Sequence, residues 1–173
     1  ELFDCRESLF ERLFRICQKN GWSHAYDTLT YHGRMHKDIA NLVNSNFYDD
    51  QLRTATERHN IPLRNNNYNE TDKYQKIAAN NRIELLPVRV TDYSNISDKI
   101  NKQEANEVVS LALAIYEVYK ANILDFDPQR TLGIIAPYRN QIALIKHKLE
   151  ATGIQELKEV MVDTVERYQG SQR

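Results

Sequence analysis

The sequence predicts an α/β protein whose parallel sheet is flanked by helices, and three stretches carry that expectation. Leu132, Ile134 and Ile135 form a short apolar run that Pro137 closes, because proline lacks a backbone donor and biases Ala136 away from helix. Ile142, Ile145 and Leu149 then recur at three and four residues, which lays one apolar helix face back onto the sheet. A strand, a polar turn and a returning helix make one parallel β/α unit. Residues 26–31 repeat the plan, with β-formers in alternation leading through His32-Gly33-Arg34-Met35-His36 into a helix marked by Ile39, Leu42, Val43 and Phe47. Residues 160–165 supply a further strand.

In chain order, residues 8–20 place Leu9, Leu13, Phe14, Ile16 and Cys17 on an amphipathic scaffold helix, and Gly21 is set to end it in the left-handed region. Residues 48–81 are polar and rich in turn-forming Asn, which predicts a long surface excursion with a short helix over 71–80. Residues 83–90 regain strand character despite Pro87, which points to an edge position or a bulge. Asn101 followed by Glu104 has capping-box-like spacing, and the helix it opens is apolar on several faces, so it should be buried on two sides. Gly153 ends the helix after the central strand. The last strand runs into a polar, glycine-bearing loop with no helix after it, as in a domain cut short.

At 173 residues the expectation is one domain, 1–173, with a core of real size. No apolar run approaches the roughly 20 residues of a membrane helix, and the N-terminus lacks signal-peptide character, so a cytoplasmic protein is expected. Cys5 and Cys17 lack the His partners of a zinc site. A net charge of -1 gives no bulk attraction to nucleic acid and leaves room only for a local basic strip.

Ligands of open parallel sheets bind outside the carboxyl ends of the strands. Three loops are expected there, bringing Arg34 and His36, then Pro137, Tyr138, Arg139, Asn140 and Gln141, then Thr164, Gln169 and Gly170. Donors dominate, with no nucleophile–base pair and no carboxylate pair, so the set suits a phosphate-bearing ligand better than hydrolysis by the chain itself. Read alone, Tyr138 and Gln141 serve equally well to cap and pack their turn.

Gly33-Arg34-Met35-His36, residues 133–141 (Gly-Ile-Ile-Ala-Pro-Tyr-Arg-Asn-Gln) and residues 164–170 (Thr-Val-Glu-Arg-Tyr-Gln-Gly) resemble, in this order, motifs of the second RecA-like domain of superfamily 1 helicases. Within that superfamily the likeness is to the branch of Upf-like RNA helicases and related DNA helicases. Residues 8–13 are similar to the segment before the first of these motifs, and residues 101–105 to a further signature. The resemblance implies a RecA-like, P-loop NTPase-type sheet truncated at its C-terminus, part of an ATP-dependent helicase. ATP and Mg2+ would be held mainly by a separate N-terminal RecA-like domain of the same parent chain, since the five glycines here cannot compose a phosphate loop. Arg34 would reach the ATP as the catalytic arginine, with Gly170 and Gln172 also at the nucleotide. Pro137, Tyr138, Arg139, Gln141, Thr164 and Gln169 would face a single strand, DNA rather than RNA because the zinc-binding extension of some RNA-directed relatives is not seen. On this reading the fragment alone does not turn over ATP.

Two departures stand out. Gly33 occupies the place of an adenine-stacking tyrosine, leaving that face to Tyr31, to another residue or to looser base selectivity, and Gln172 stands where the family commonly has Glu. The competing readings are a non-enzymatic nucleic-acid or protein-binding module with the same fold, and an unrelated nucleotide-binding α/β enzyme, for which the required Gly-rich phosphate turn is missing.

Overall fold

The computed structural model describes residues 8–61, 66–88 and 99–169. The chain divides into two compact units, Glu1–Ile61 and Pro62–Arg173.

In the first unit, helix α1 (Leu9–Lys19) is fixed at both ends by local chemistry. Ser8 and Glu11 form a reciprocal capping box: the Glu11 N–H donates to Ser8 Oγ at 3.2 Å, and the Ser8 N–H donates to Glu11 Oε2 at 2.9 Å. At the other end Gly21 takes φ +68°, which lets the Trp22 N–H reach Cys17 O at 2.9 Å and the Gly21 N–H reach Gln18 O at 3.1 Å, a Schellman closure. The expected apolar stripe is present but covers nothing, for no residue of α1 is buried and Leu9, Phe10, Leu13 and Ile16 are exposed. Phe14 is the exception in part, set edge-on to Tyr26 with centroids 4.8 Å apart.

Strand β1 is shorter than its sequence pattern, Tyr31–His32 instead of 26–31, and it pairs in parallel with β2 (Arg53–Thr54). That partner comes from within the stretch expected to be a surface excursion. Helix α2 (Lys37–Phe47) connects them, giving a β–α–β unit. The return is built by Asn44, whose Oδ1 accepts from the Leu52 N–H at 2.8 Å while its Nδ2 donates to Leu52 O at 3.1 Å. Asp49 and Asp50 supply left-handed φ values of 48° and 58°, a region that short polar side chains enter at lower cost than most.

The second unit has a true core. Helix α3 (Lys73–Asn80) is capped by Asp72, in keeping with the short helix expected near 71–80, and packs on α4 (Lys102–Ala121). Tyr74 Oη donates to Glu107 Oε2 at 2.7 Å, and Gln75 Nε2 to Glu117 Oε2 at 2.7 Å. The opposite side of α4 meets α5 (Arg139–Ala151) and α6 (Gln155–Lys158), so the helix is buried on two sides as its composition demands. Strand β3 (Gly133–Ile135) precedes α5, and β4 (Met161–Asp163) pairs with it in parallel, Ile134 opposite Val162. Ile142, Ile145 and Leu149 of α5 close over Ile134, Val160, Val162 and Leu157, with Phe126 seated edge-on against Tyr116 and Tyr119. Gly153 turns the chain at φ +76°.

Residues 83–88 form no strand, and residues 89–90 lie outside the described residues. Ile83 and Leu85 are exposed, and an apolar run with no ladder partner has nothing to hold it extended. The segment after β4 is not a bare loop but a helical turn, α7 (Val165–Tyr168). Among the described residues the sheets are two short parallel pairs, β1–β2 and β3–β4, in a mixed α/β arrangement. Among those residues no helix is long and apolar enough to cross a membrane.

Candidate functional site

The turn after β1 runs from Gly33 through Arg34 and Met35 to His36, the N-cap of α2. An uncapped helix N-terminus offers amide donors to an anion. Here the first two are already taken: the Lys37 N–H donates to Asn60 Oδ1 at 2.8 Å, and the Asp38 N–H to His36 Nδ1 at 3.2 Å. His36 is therefore a capping residue, also 3.3 Å from the Asp38 carboxylate. The exposed side chain of Arg34 lies on the same turn. In the strand just before it, His32 Nε2 lies 3.2 Å from Thr54 Oγ1, tying β1 to β2 beside the turn. Tyr31 presents its ring largely to solvent.

The turn after β3 and the turn after β4 lie side by side, because the strands are parallel neighbours and the ladder continues into the first turn, with the Ala136 N–H donating to Asp163 O at 3.1 Å. Pro137, Arg139 and Asn140 are exposed, and Tyr138 is 46 % exposed as the N-cap of α5, with no side-chain cap bond to the helix amides. Thr164 begins α7 on the adjacent turn, and Gln169 follows it, exposed.

Gln141 has a different surrounding. It is 3 % exposed, and its amide is spent on one residue: Oε1 accepts from the Asn101 N–H at 2.9 Å and Nε2 donates to Asn101 O at 3.0 Å. Asn101 in turn caps α4 through Oδ1, which accepts from the Gln103 and Glu104 N–H groups at 3.1 and 3.0 Å. Of the two roles the sequence allows Gln141, a surface facing nucleic acid or packing of its own turn, the structure corrects the first: the side chain lies inside, as the clamp between α5 and the start of α4. Gly170 and Gln172 lie outside the described residues.

Residues outside the expected site set contribute charge to this edge. The Thr164 N–H donates to Asp163 Oδ1 at 2.9 Å and holds that carboxyl below its usual range, helped by the positive charges of Arg167, whose Nε is 3.4 Å from Oδ2, and Lys146. Glu166 is likewise held low, first by the Thr164 hydroxyl. Lys146 and Arg167 thus bring basic groups to a carboxylate at the end of β4. Their separation of 21 positions, across a helix and a strand, hides the grouping in a linear reading. Among the described residues no group of three or more His, Cys, Asp or Glu is placed to hold a metal ion.

A family model described as "AAA domain" (AAA_12), a helicase-related family, matches residues 5–173. No curated protein matches the chain.

Proposed function

From the premise that the chain belongs to this helicase-related AAA domain family, we propose that it is the second RecA-like half of an ATP-dependent nucleic-acid helicase of the Upf-like branch of superfamily 1, gripping a single strand and closing over ATP held by another domain. The observation that carries the reading is the β3–β4 edge. Two adjacent turns there carry an exposed aromatic, Tyr138, and a part-buried hydroxyl residue, Thr164, next to helix amides without a side-chain cap and to Arg139, Lys146 and Arg167. An aromatic stacks on any base, and hydroxyl, amide and guanidinium groups hold phosphates without reading sequence. That is the donor set for a strand track, with DNA the expected strand.

ATP fits the other turn in one respect. With the leading amides of α2 already paired, the turn offers a guanidinium fork rather than a phosphate cradle, which suits an arginine reaching toward a nucleotide held elsewhere. ATP would supply the phosphoryl group whose transfer drives such a motor, and Mg2+ would be held mainly by the other domain. Arg34 neutralises charge that develops on the transferring group, an effect on the order of 10³ to 10⁵ in rate for arginine fingers.

The test is a pair of substitutions in the parent protein. Arg34→Ala should collapse ATP turnover by a factor in that range while ATP and the strand still bind, and Arg34→Lys should fail too, because charge without the planar fork is not enough. Thr164→Ala should weaken single-strand binding with ATP affinity unchanged. Turnover of Arg34→Ala within about threefold of the parent overturns the arginine assignment. Unchanged strand affinity of Thr164→Ala across salt concentrations overturns the track.

A further inference from the structure

Tyr168 joins the two strands of the C-terminal sheet through its hydroxyl. That oxygen accepts from the Ile134 N–H on β3 at 3.1 Å and donates to Met161 O on β4 at 2.5 Å, so both its acceptor and its donor function are spent between neighbouring strands. The ring lies over Gly133, where a Cβ would come within 2.8 Å of Tyr168 Cε1 and Oη. Such a contact is closer than side chains tolerate, so glycine at 133 is required for the tyrosine to sit there. This gives a reason for Gly133 that does not depend on its backbone angles.

Tyr168 is the last residue of α7 and directly precedes Gln169, while Thr164 stands at the other end of the same turn. A four-residue helical turn does not hold itself, because nucleation fixes several dihedrals for very few hydrogen bonds. Its placement must come from anchors. The end of β4 supplies two, the Thr164 N–H bond and the Arg167 ion pair to Asp163, and the tyrosine hydroxyl in its seat on Gly133 supplies a third.

We propose that Tyr168 is a positioning residue for strand binding: seated on Gly133 and bonded across β3 and β4, it fixes the Thr164–Gln169 turn in the geometry that grips a single strand. The proposal rests on the strand-track reading above. It assigns the tyrosine no contact with nucleic acid. Its effect passes through the placement of Thr164 and Gln169.

The experiment uses the parent protein, a fluorescein-labelled oligothymidylate as probe, and the variants Tyr168→Phe, Gly133→Ala and their combination. Tyr168→Phe deletes only the hydroxyl; Gly133→Ala keeps the hydroxyl and fills its seat. Each should weaken oligonucleotide binding about tenfold, with ATP affinity unchanged, and the double variant should lose no more than about the larger single effect because both act through one seat. The Ile134 amide should also exchange with solvent at least about tenfold faster in Tyr168→Phe, a readout that needs no ligand. Oligonucleotide affinity of Tyr168→Phe within about twofold of the parent, while Thr164→Ala binds weakly, overturns the role of the tyrosine and leaves the track standing. A purely structural tyrosine would give that result together with a lowered Tm. A parent protein that does not bind the oligonucleotide overturns the track and this proposal together.

Discussion

The N-terminal and C-terminal units share a local plan, a strand, a turn and a helix that leads to a parallel neighbour, yet they differ in what their helices bury. In the C-terminal unit Ile142, Ile145 and Leu149 are enclosed by β3, β4 and α6. In the N-terminal unit Ala40 is the one residue of α1 and α2 that is buried, while Leu13, Leu42 and Phe47 remain exposed. Both sets of apolar residues recur with helical spacing. Periodicity therefore forecasts the helix in each case, and the stability that follows depends on whether a second layer receives the stripe.

The largest contrast is expected from truncating one leucine in each unit. Leu149 is 1 % exposed within a closed core, so Leu149→Ala should cost about 2–5 kcal/mol, from lost transfer energy and the cavity left behind. Leu13→Ala removes side-chain atoms that are already half in solvent and should change stability by no more than about 0.5 kcal/mol. Urea unfolding followed by far-UV circular dichroism reads the first. Trp22, the single tryptophan of the chain, reports the N-terminal unit by fluorescence. Equal losses from the two substitutions would break the comparison.

A second contrast lies between clamps. Gln141 is buried with both amide groups bonded to the Asn101 backbone, whereas Asn44 makes the same two-point clamp on Leu52 in the N-terminal unit and is only part-buried. Removing a partner from a buried polar group costs its desolvation, about 1–3 kcal/mol. Gln141→Ala should fall in that range, and its signature should be faster hydrogen exchange in the first turn of α4, because the capping residue Asn101 loses its hold. Asn44→Ala should cost less, since water can replace the amide. Protection of the α4 first turn identical in Gln141→Ala and the parent would show that the clamp is incidental.

These clamps mark the boundary of what the sequence reveals. Features determined by a few consecutive residues are legible: the stops at Gly21 and Gly153, the cap at Asn101 and the apolar face of α5 follow from local chemistry. Strand β2 is not, because Arg53 and Thr54 form a strand only through pairing with β1, which Asn44 and the left-handed Asp49 and Asp50 bring about from outside the strand. The opposite error occurs at residues 83–88, where apolar residues without a partner strand stay irregular. The candidate site divides along the same line. Arg34, Tyr138 and Thr164 could be picked out because each sits at a strand-to-helix turn. The inward role of Gln141, the arrival of Lys146 near Asp163 and the fit of Tyr168 on Gly133 all depend on contacts between residues distant in sequence, and no local pattern encodes them.

The smallest expected effect separates the units by pH. Glu11 in α1 is held below its usual pKa of 4.5, chiefly by the Ser8 backbone N–H and then by the Ser8 hydroxyl; in the C-terminal unit Asp163 and Glu166 are held low by Thr164. A carboxyl with a lowered folded-state pKa stabilises the fold above its ordinary value and loses that contribution as pH falls through the folded one. Glu11 and Glu166 are exposed and Asp163 is partly so, and screening keeps each contribution small. The two regions nevertheless lose different things. As pH falls through the lowered pKa of Glu11, protonation weakens the acceptor that holds the Ser8 amide, and α1 has no buried face to keep its first turn in place. In the C-terminal unit protonation loosens α7, while the enclosed face of α5 is untouched. Amide exchange followed from neutral to acidic pH should therefore accelerate first at Ser8 and the first turn of α1 and at α7, with Ile145 and Leu149 protected until the unit unfolds as a whole. Glu11→Gln should abolish the pH dependence at Ser8 and leave that of α7 intact. An Ile145 amide that loses protection at the same pH as Ser8 would mean that the two units share one cooperative transition, and that the missing second layer of α1 has no consequence for its stability.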